Sequence, residues 1–167
     1  MDKHRYYVIF VDVYSSKYWI FFMHKKDQNF TKFYEFKALV EKEPGKKVKA
    51  LWSDKGGDYV SNEFKNLCAV EGIKRELMTP HNPQQNGVAE RKNKSIVGVA
   101  REVLHDQGLP LHLWAEACNT TVYVHNHSPH WTLEMKIPEE DYSGKRLEVG
   151  HFKKFLSLAY FHVTKDA

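Results

Sequence analysis

The pattern of apolar and polar positions predicts that the chain begins with two strands and a helix. Segments 6–13 and 17–24 are rich in aromatic and β-branched residues, and the turn-forming run Tyr14-Ser15-Ser16 separates them. Two such segments around a tight turn predict a β-hairpin. Apolar residues then recur at three- and four-residue spacing over 30–40, which is a helical period, and Pro44-Gly45 is expected to end that helix.

Short apolar runs alternate with helical periods along the rest of the chain. The remaining predicted elements are strands over 48–52 and 73–77, a helix that Ser61 caps, a polar loop over 79–86, a long helix from about Gly87 to Gln107, a helix ending near Ser128-Pro129, and a strand-like or irregular tail over 151–163. We found no internal repeat or linker. The alternation predicts a single α/β domain over residues 1–167.

Composition narrows the possible functions only slightly. The chain is 42% apolar and 14% aromatic, and this composition excludes an intrinsically disordered protein. It has no run of about eighteen apolar residues, so no membrane-spanning helix is expected. The net charge of +4 permits a nucleic-acid partner without requiring one. Cys68 and Cys118 lie far apart in sequence, so neither a disulfide framework nor a cysteine zinc site is expected.

Two carboxylates stand out by position. Asp54 follows a short apolar strand and precedes Gly56-Gly57, and Glu90 lies near the start of the long helix, with 35 residues between them. Carboxylates at a strand end and a helix start can converge on one divalent cation, since hard cations prefer oxygen ligands. Each also has a plainer interpretation, because Asp before Gly-Gly is common in turns and Glu early in a helix complements its dipole.

The motifs around these carboxylates resemble those of one family. The sequence contains Leu51-Trp52-Ser53-Asp54-Lys55-Gly56-Gly57-Asp58-Tyr59, then Thr79-Pro80-His81-Asn82-Pro83-Gln84-Gln85-Asn86-Gly87-Val88-Ala89-Glu90-Arg91-Lys92-Asn93. These runs resemble the second and third carboxylate motifs of copia-type retrotransposon integrases, in the retroviral integrase superfamily. The resemblance covers nearly the whole chain. It implies a ribonuclease-H-like integrase core, a mixed sheet flanked by helices.

The resemblance also implies an activity and its residues. Asp54 and Glu90 are expected to be catalytic carboxylates that bind Mg²⁺ or Mn²⁺, in 3′-end processing and DNA strand transfer. Gln84 and Asn86 are expected to meet DNA from a mobile loop. Lys94 is expected to contact a DNA phosphate, with a solvated surface lysine as the alternative. The implied partners are retroelement ends, target DNA and further copies of the chain, and the implied location is intracellular, in the nucleus during integration.

Several positions depart from the family pattern. Lys55 stands where the family usually has Asn, Val13 where it has a second Asp, and Ser16 where it has Arg. The histidines at 125, 127 and 130 do not show the spacing of the family's zinc module, so we expect them to be surface or loop residues.

The family's first catalytic Asp lies on a first strand that nothing in residues 1–167 resembles. We therefore expect a core truncated at its N-terminus relative to the family, lacking its central strand. Asp2 is too close to Tyr6 to replace that Asp, and Asp12 matches a residue of the family's second strand, which leaves it a weak substitute. Without the central strand, two strand edges should lose their partners and could borrow a strand.

Three functions remain open. The chain could be an integrase core whose activity in this form is doubtful, or an inactive transposon-derived remnant that binds DNA or protein. A ribonuclease H proper is disfavoured, because the Pro-Gln-Gln-Asn-Gly-Val-Ala-Glu run resembles integrases. Divalent-metal binding through Asp54 and Glu90 would distinguish the first two.

Overall fold

The computed structural model describes residues 4–53, 61–77, 83–130, 133–148, 150 and 152, with the side chains of residue 77 and residues 83–93 left undescribed. The elements in chain order are β1 (Tyr6–Val11), β2 (Tyr18–Met23), α1 (Asn29–Glu41), β3 (Ala50–Ser53), α2 (Asn62–Val70), β4 (Lys74–Leu77), α3 (Pro83–Asp106), α4 (Trp114–Asn126) and α5 (Pro138–Ser143). Single 3₁₀ turns precede α1 and α4. Within these residues, no helix has the length and apolar character needed to cross a membrane.

The first two strands form the predicted hairpin. β1 and β2 pair antiparallel, with Phe10 opposite Trp19 and Val11 opposite Tyr18. Asp12 closes the connection, because its Oδ2 accepts hydrogen bonds from the Ser15 amide at 2.8 Å and the Ser15 hydroxyl at 2.7 Å. The turn therefore has a local polar cause.

The other two strands pair in parallel, with Ala50 opposite Lys74 and Ser53 opposite Leu77. The α/β class and the mixture of parallel and antiparallel pairing are confirmed. Among the described residues, however, the strands form two separate two-stranded sheets.

The hairpin is apolar on both faces and separates two hydrophobic clusters. One face contributes Phe10 to a cluster with Phe33 and Phe64, both fully buried, from α1 and α2. The opposite face contributes Tyr18 to a cluster formed mainly with α3 and α4. Complete burial of a Phe side chain stabilises the fold by roughly 1.5–3 kcal/mol. The hairpin is thus the middle layer between two pairs of helices.

The structure corrects one boundary that matters for the site. The long helix was expected from about Gly87, but α3 begins at Pro83. Proline is favoured in the first turn of a helix, since its missing amide would have no partner there. Gln84 and Asn86, expected in a mobile loop, therefore lie within α3. Residues 79–82 and most of the predicted tail lie outside the described residues.

Candidate active site

The segment around Asp54 connects two well-defined elements. β3 ends at the buried residue Ser53, and Asp54 follows it directly, outside the described residues. The chain is described again at Ser61, whose hydroxyl accepts a hydrogen bond from the Phe64 amide at 3.2 Å. This confirms Ser61 as the N-cap of α2. β3 thus ends at the residue before Asp54 in the sequence, and the approach of Asp54 to Glu90 remains a prediction.

Position 90 lies in the second turn of α3, seven residues after the helix begins. Lys94 follows four residues later and is exposed. Residues four apart in a helix lie on the same face. The backbone therefore places positions 90 and 94 on one face of α3, together with position 86, another four residues back.

Asp12 has a structural role. Its carboxylate accepts two hydrogen bonds from Ser15, and its backbone amide donates to the Lys17 carbonyl oxygen at 2.9 Å. These contacts fix the hairpin turn. They explain an acidic residue at position 12 without any metal ion.

The expectation that the histidines at 125, 127 and 130 are surface or loop residues needs correction for His125, which lies within a helix. His125 lies in α4 and His130 shortly after it, both partly buried. The His125 ring stacks on Tyr18 at a centroid distance of 4.0 Å and lies 4.0 Å from the His130 ring. His127 contacts Tyr123, with ring centroids 4.1 Å apart. They pack against aromatic rings, and in the described part of the chain no group of three or more His, Cys, Asp or Glu residues could hold a metal ion.

An ionic cluster that the sequence did not predict lies beside the hairpin turn. Lys17 is only 9% exposed, and its Nζ lies 2.8 Å from Glu139 Oε1 and 4.2 Å from the Tyr142 ring centroid. Lys46 Nζ contacts the same ring at 4.1 Å. Burial raises the pKa of Tyr142 to about 12, with nearby carboxylates adding to the effect. Because 122 residues separate Lys17 from Glu139, no local sequence signal could have revealed the pair.

A second missed contact ties α4 to β2. The buried Asn126 side chain accepts from the Tyr18 amide at 2.9 Å and donates to the Tyr18 carbonyl oxygen at 2.8 Å. A single Asn at the end of a predicted helix gives no sign of a partner 108 residues away.

The fold is that of retroviral integrase catalytic cores, which are ribonuclease-H-like. A chain of the simian T-cell lymphotropic virus intasome, in complex with PP2A regulatory subunit B56 gamma, matches 92% of this chain and 54% of its own, with a TM-score of 0.67 and 20% identity. The HTLV-2 integrase catalytic core domain in complex with magnesium, in its trimeric form, matches 80% of this chain and 82% of its own, with a TM-score of 0.61 and 21% identity.

Sequence relatives specify the family more closely. The retrovirus-related Pol polyprotein from transposon TNT 1-94 of Nicotiana tabacum is 43% identical over 166 residues, which is 99% of this chain and 12% of that protein. The corresponding polyprotein from transposon RE2 of Arabidopsis thaliana is 31% identical over 160 residues, 96% of this chain and 11% of that protein. No family model matches the chain. The chain belongs to the retrovirus-related Pol polyproteins of copia-type transposons and corresponds to their integrase core. It spans about an eighth of the length of the TNT 1-94 polyprotein.

Proposed function

We propose that the chain forms the core of an enzyme that joins retroelement DNA ends to target DNA, with Asp54 and Glu90 as catalytic carboxylates. The observation that supports this proposal is the integrase-core fold itself, together with where the two residues stand in the sequence relative to its elements. Asp54 directly follows the end of β3, and Glu90 lies early in α3. The family resemblance assigns both positions to the carboxylate motifs.

The proposed cofactor is Mg²⁺ or Mn²⁺. The HTLV-2 core with the same fold is a complex with magnesium. Asp54 and Glu90 would supply carboxylate oxygens, the ligand type that these hard cations prefer. A bound divalent ion would activate a nucleophilic oxygen and stabilise the charge that develops on the leaving oxygen.

The proposed DNA contacts lie along α3. The backbone of α3 puts positions 86, 90 and 94 on one helix face, and the sequence has Asn, Glu and Lys at these positions. Gln84, Asn86 and Lys94 would contact the DNA backbone, which orients DNA without reading its sequence. Self-association and action in the nucleus are part of the same proposal, and the HTLV-2 core is known in dimeric and trimeric forms.

A metal titration tests the carboxylate assignment. Mn²⁺ binding, followed by calorimetry, should weaken at least tenfold in Asp54→Asn and in Glu90→Gln. Glu102→Gln is the matched control, because Glu102 is an exposed carboxylate on the same helix. Unchanged Mn²⁺ binding in both site variants, with DNA binding retained, would refute the catalytic proposal and favour a DNA-binding remnant.

Strand transfer provides the second test. We expect no strand transfer from residues 1–167 alone, and activity when the chain is extended upstream with a strand that carries the family's first catalytic Asp. Asp54→Asn or Glu90→Gln should then abolish that activity again. Strand transfer by the unextended chain would contradict this expectation and direct attention to Asp12.

DNA binding has its own test. The affinity for duplex DNA should fall linearly with salt on logarithmic axes, because lysines release counterions from phosphates. Lys94→Glu should weaken binding to different sequences by a similar factor. Lys32→Glu is the control, since Lys32 lies on α1, which packs on the other side of the hairpin from α3. A flat salt response would argue against a DNA-binding face.

A further inference from the structure

The second strand of the hairpin, β2, has an outer edge on the side away from β1. Among the described residues, β2 pairs with β1 and with no other strand. The Asp12 amide donates to the Lys17 carbonyl oxygen across the hairpin, and the residues that bond across an antiparallel pair alternate along each strand. The backbone groups at positions 18, 20, 22 and 24 therefore point toward the outer edge.

The composition of β2 favours pairing with a copy of itself. The strand consists of Tyr18-Trp19-Ile20-Phe21-Phe22-Met23, six residues without charge, proline or glycine. Segments of this kind add readily to the same segment of another molecule, because the strand edge is a template for hydrogen bonds. An antiparallel copy with Ile20 opposite Phe22 would also place Tyr18 opposite His24. All four outward residues would then have partners in one two-fold symmetric contact.

The side chain of Asn126 occupies one end of this edge. Its Oδ1 accepts from the Tyr18 amide at 2.9 Å, and its Nδ2 donates to the Tyr18 carbonyl oxygen at 2.8 Å. One acceptor and one donor are what a neighbouring strand would present to Tyr18. The amide side chain therefore takes the place of a strand at this residue, and the stacking of His125 on the Tyr18 ring, at a centroid distance of 4.0 Å, holds α4 beside it.

The side chain of Gln28 occupies the other end. Its Oε1 accepts from the amides of His24 at 2.7 Å and Lys25 at 3.0 Å. Gln28 is the last residue of the 3₁₀ turn after β2, so the turn itself brings this cap to the edge.

Two residues remain between the caps. Within the described part of the chain, the outward amides of Ile20 and Phe22 have no hydrogen-bond partner. An edge of two residues offers few hydrogen bonds to set against the freedom that two molecules lose when they associate. The length of edge left open is therefore what the two caps control.

We propose that Asn126 and Gln28 close the outer edge of β2 against antiparallel pairing with β2 of a second copy of the chain. The two side chains take the backbone groups of Tyr18 and His24, the terminal residues that a pairing of the whole edge must use. Without the caps, the edge becomes a surface for strand addition. This role does not depend on the proposed catalytic function, because it requires neither DNA nor metal.

Gln28→Ala tests one cap with little effect on the core, because the hydrogen bonds of Gln28 are exposed. Residue-resolved amide hydrogen exchange is measured at a low and a high protein concentration. In the unaltered chain, exchange at Ile20 and Phe22 should be equal at both concentrations. In Gln28→Ala, exchange at these two residues should slow at least threefold at the high concentration. Gln28→Glu is the matched control and should behave as the unaltered chain, because its carboxylate can accept from the same amides.

Removal of both caps should have a larger effect. In Gln28→Ala/Asn126→Ala, exchange at Ile20 and Phe22 should slow at least tenfold at the high concentration, and sedimentation should show dimers. The loss of Asn126 also destabilises the fold, so Gln28→Ala/Phe64→Leu is the control. Phe64 is fully buried in the cluster with α1 and α2, and its replacement destabilises the fold without removing the Asn126 cap. The two double variants are compared at equal fractions of unfolded protein, set with urea.

Four results would overturn the proposal. Concentration-dependent exchange at Ile20 and Phe22 in the unaltered chain would mean that the edge is open with both caps in place. Absence of association in Gln28→Ala/Asn126→Ala would mean that the caps do not control it. Equal association in the two double variants would trace it to instability. Association that leaves exchange at Ile20 and Phe22 unchanged would assign the contact to another surface.

Discussion

Replacing Asn126 by leucine should destabilise the fold far more than its position at the end of a helix suggests. The Asn126 amide group makes a matched pair of hydrogen bonds with the amide and carbonyl groups of Tyr18. Tyr18 is 3% exposed and Asn126 7% exposed, so water cannot replace these bonds readily. Leucine has a similar volume and lacks both polar atoms.

The expected cost follows from the two backbone groups left behind. Each buried donor or acceptor without a partner costs about 1–3 kcal/mol. Two such groups on Tyr18 give a loss of roughly 2–6 kcal/mol in the free energy of unfolding. Asn126→Asp should be harmful as well, because a carboxylate can accept from the Tyr18 amide but cannot donate to its carbonyl oxygen.

Urea unfolding followed by circular dichroism measures the effect. With a slope of about 2 kcal/mol per molar urea, the midpoint should fall by about 1–3 M in Asn126→Leu. Thr121→Val is the control on the same helix, since the Thr121 hydroxyl donates to the local Ala117 carbonyl oxygen. We expect it to change stability by less than about 0.5 kcal/mol. An Asn126→Leu variant no less stable than this control would refute the argument.

Three further predictions concern protonation and burial. The hydrogen bond from Lys37 lowers the pKa of Glu41, so its stabilising contribution is present above about pH 4.5 and is lost as the pH falls through the lower folded-state pKa. Glu41→Gln should therefore reduce thermal stability at pH 7 and leave it unchanged near pH 2, and a loss of equal size at both pH values would contradict this. Burial raises the pKa of Cys118 to about 11 and also raises that of Cys68, so both thiols should react with a disulfide reagent at pH 8 only after unfolding. Rapid labelling of the native protein would count against this. Asp12→Ala should lower the thermal midpoint by loosening the hairpin turn while leaving Mn²⁺ affinity unchanged, and a loss of Mn²⁺ binding would show that Asp12 is a ligand.

The sequence was informative wherever a local cause determines the structure. The hairpin follows from two β-rich segments around a short turn, and the Ser61 cap follows from one hydroxyl before a helical period. The start of α3 was predicted four residues late. The glycine and polar residues over 83–87 led to the prediction of a loop, although Pro83 can begin a helix.

Contacts between residues that are far apart in the sequence could not be predicted from local patterns. From the sequence alone, Lys17 would be interpreted as an exposed lysine at the start of a strand. Glu139 and Tyr142 come close to it only in the folded chain. The candidate carboxylates illustrate a second limit. Resemblance assigns Asp54 and Glu90 their roles, but amphipathic periods along the chain cannot determine how a strand end and a helix approach each other.

The two-faced hairpin has a consequence for folding accuracy. Most half-buried strands fix their register by polarity, because a slip of one residue would bury polar side chains. In β1 and β2 such a slip would exchange one apolar set for another, so hydrophobicity provides little discrimination between registers. The polar contacts at the turn end of the hairpin must supply it. The Asp12–Ser15 bonds set where the chain reverses, and Asn126 recognises the backbone of Tyr18 in one position only. Variants at these sites should therefore yield misregistered molecules as well as less stable ones.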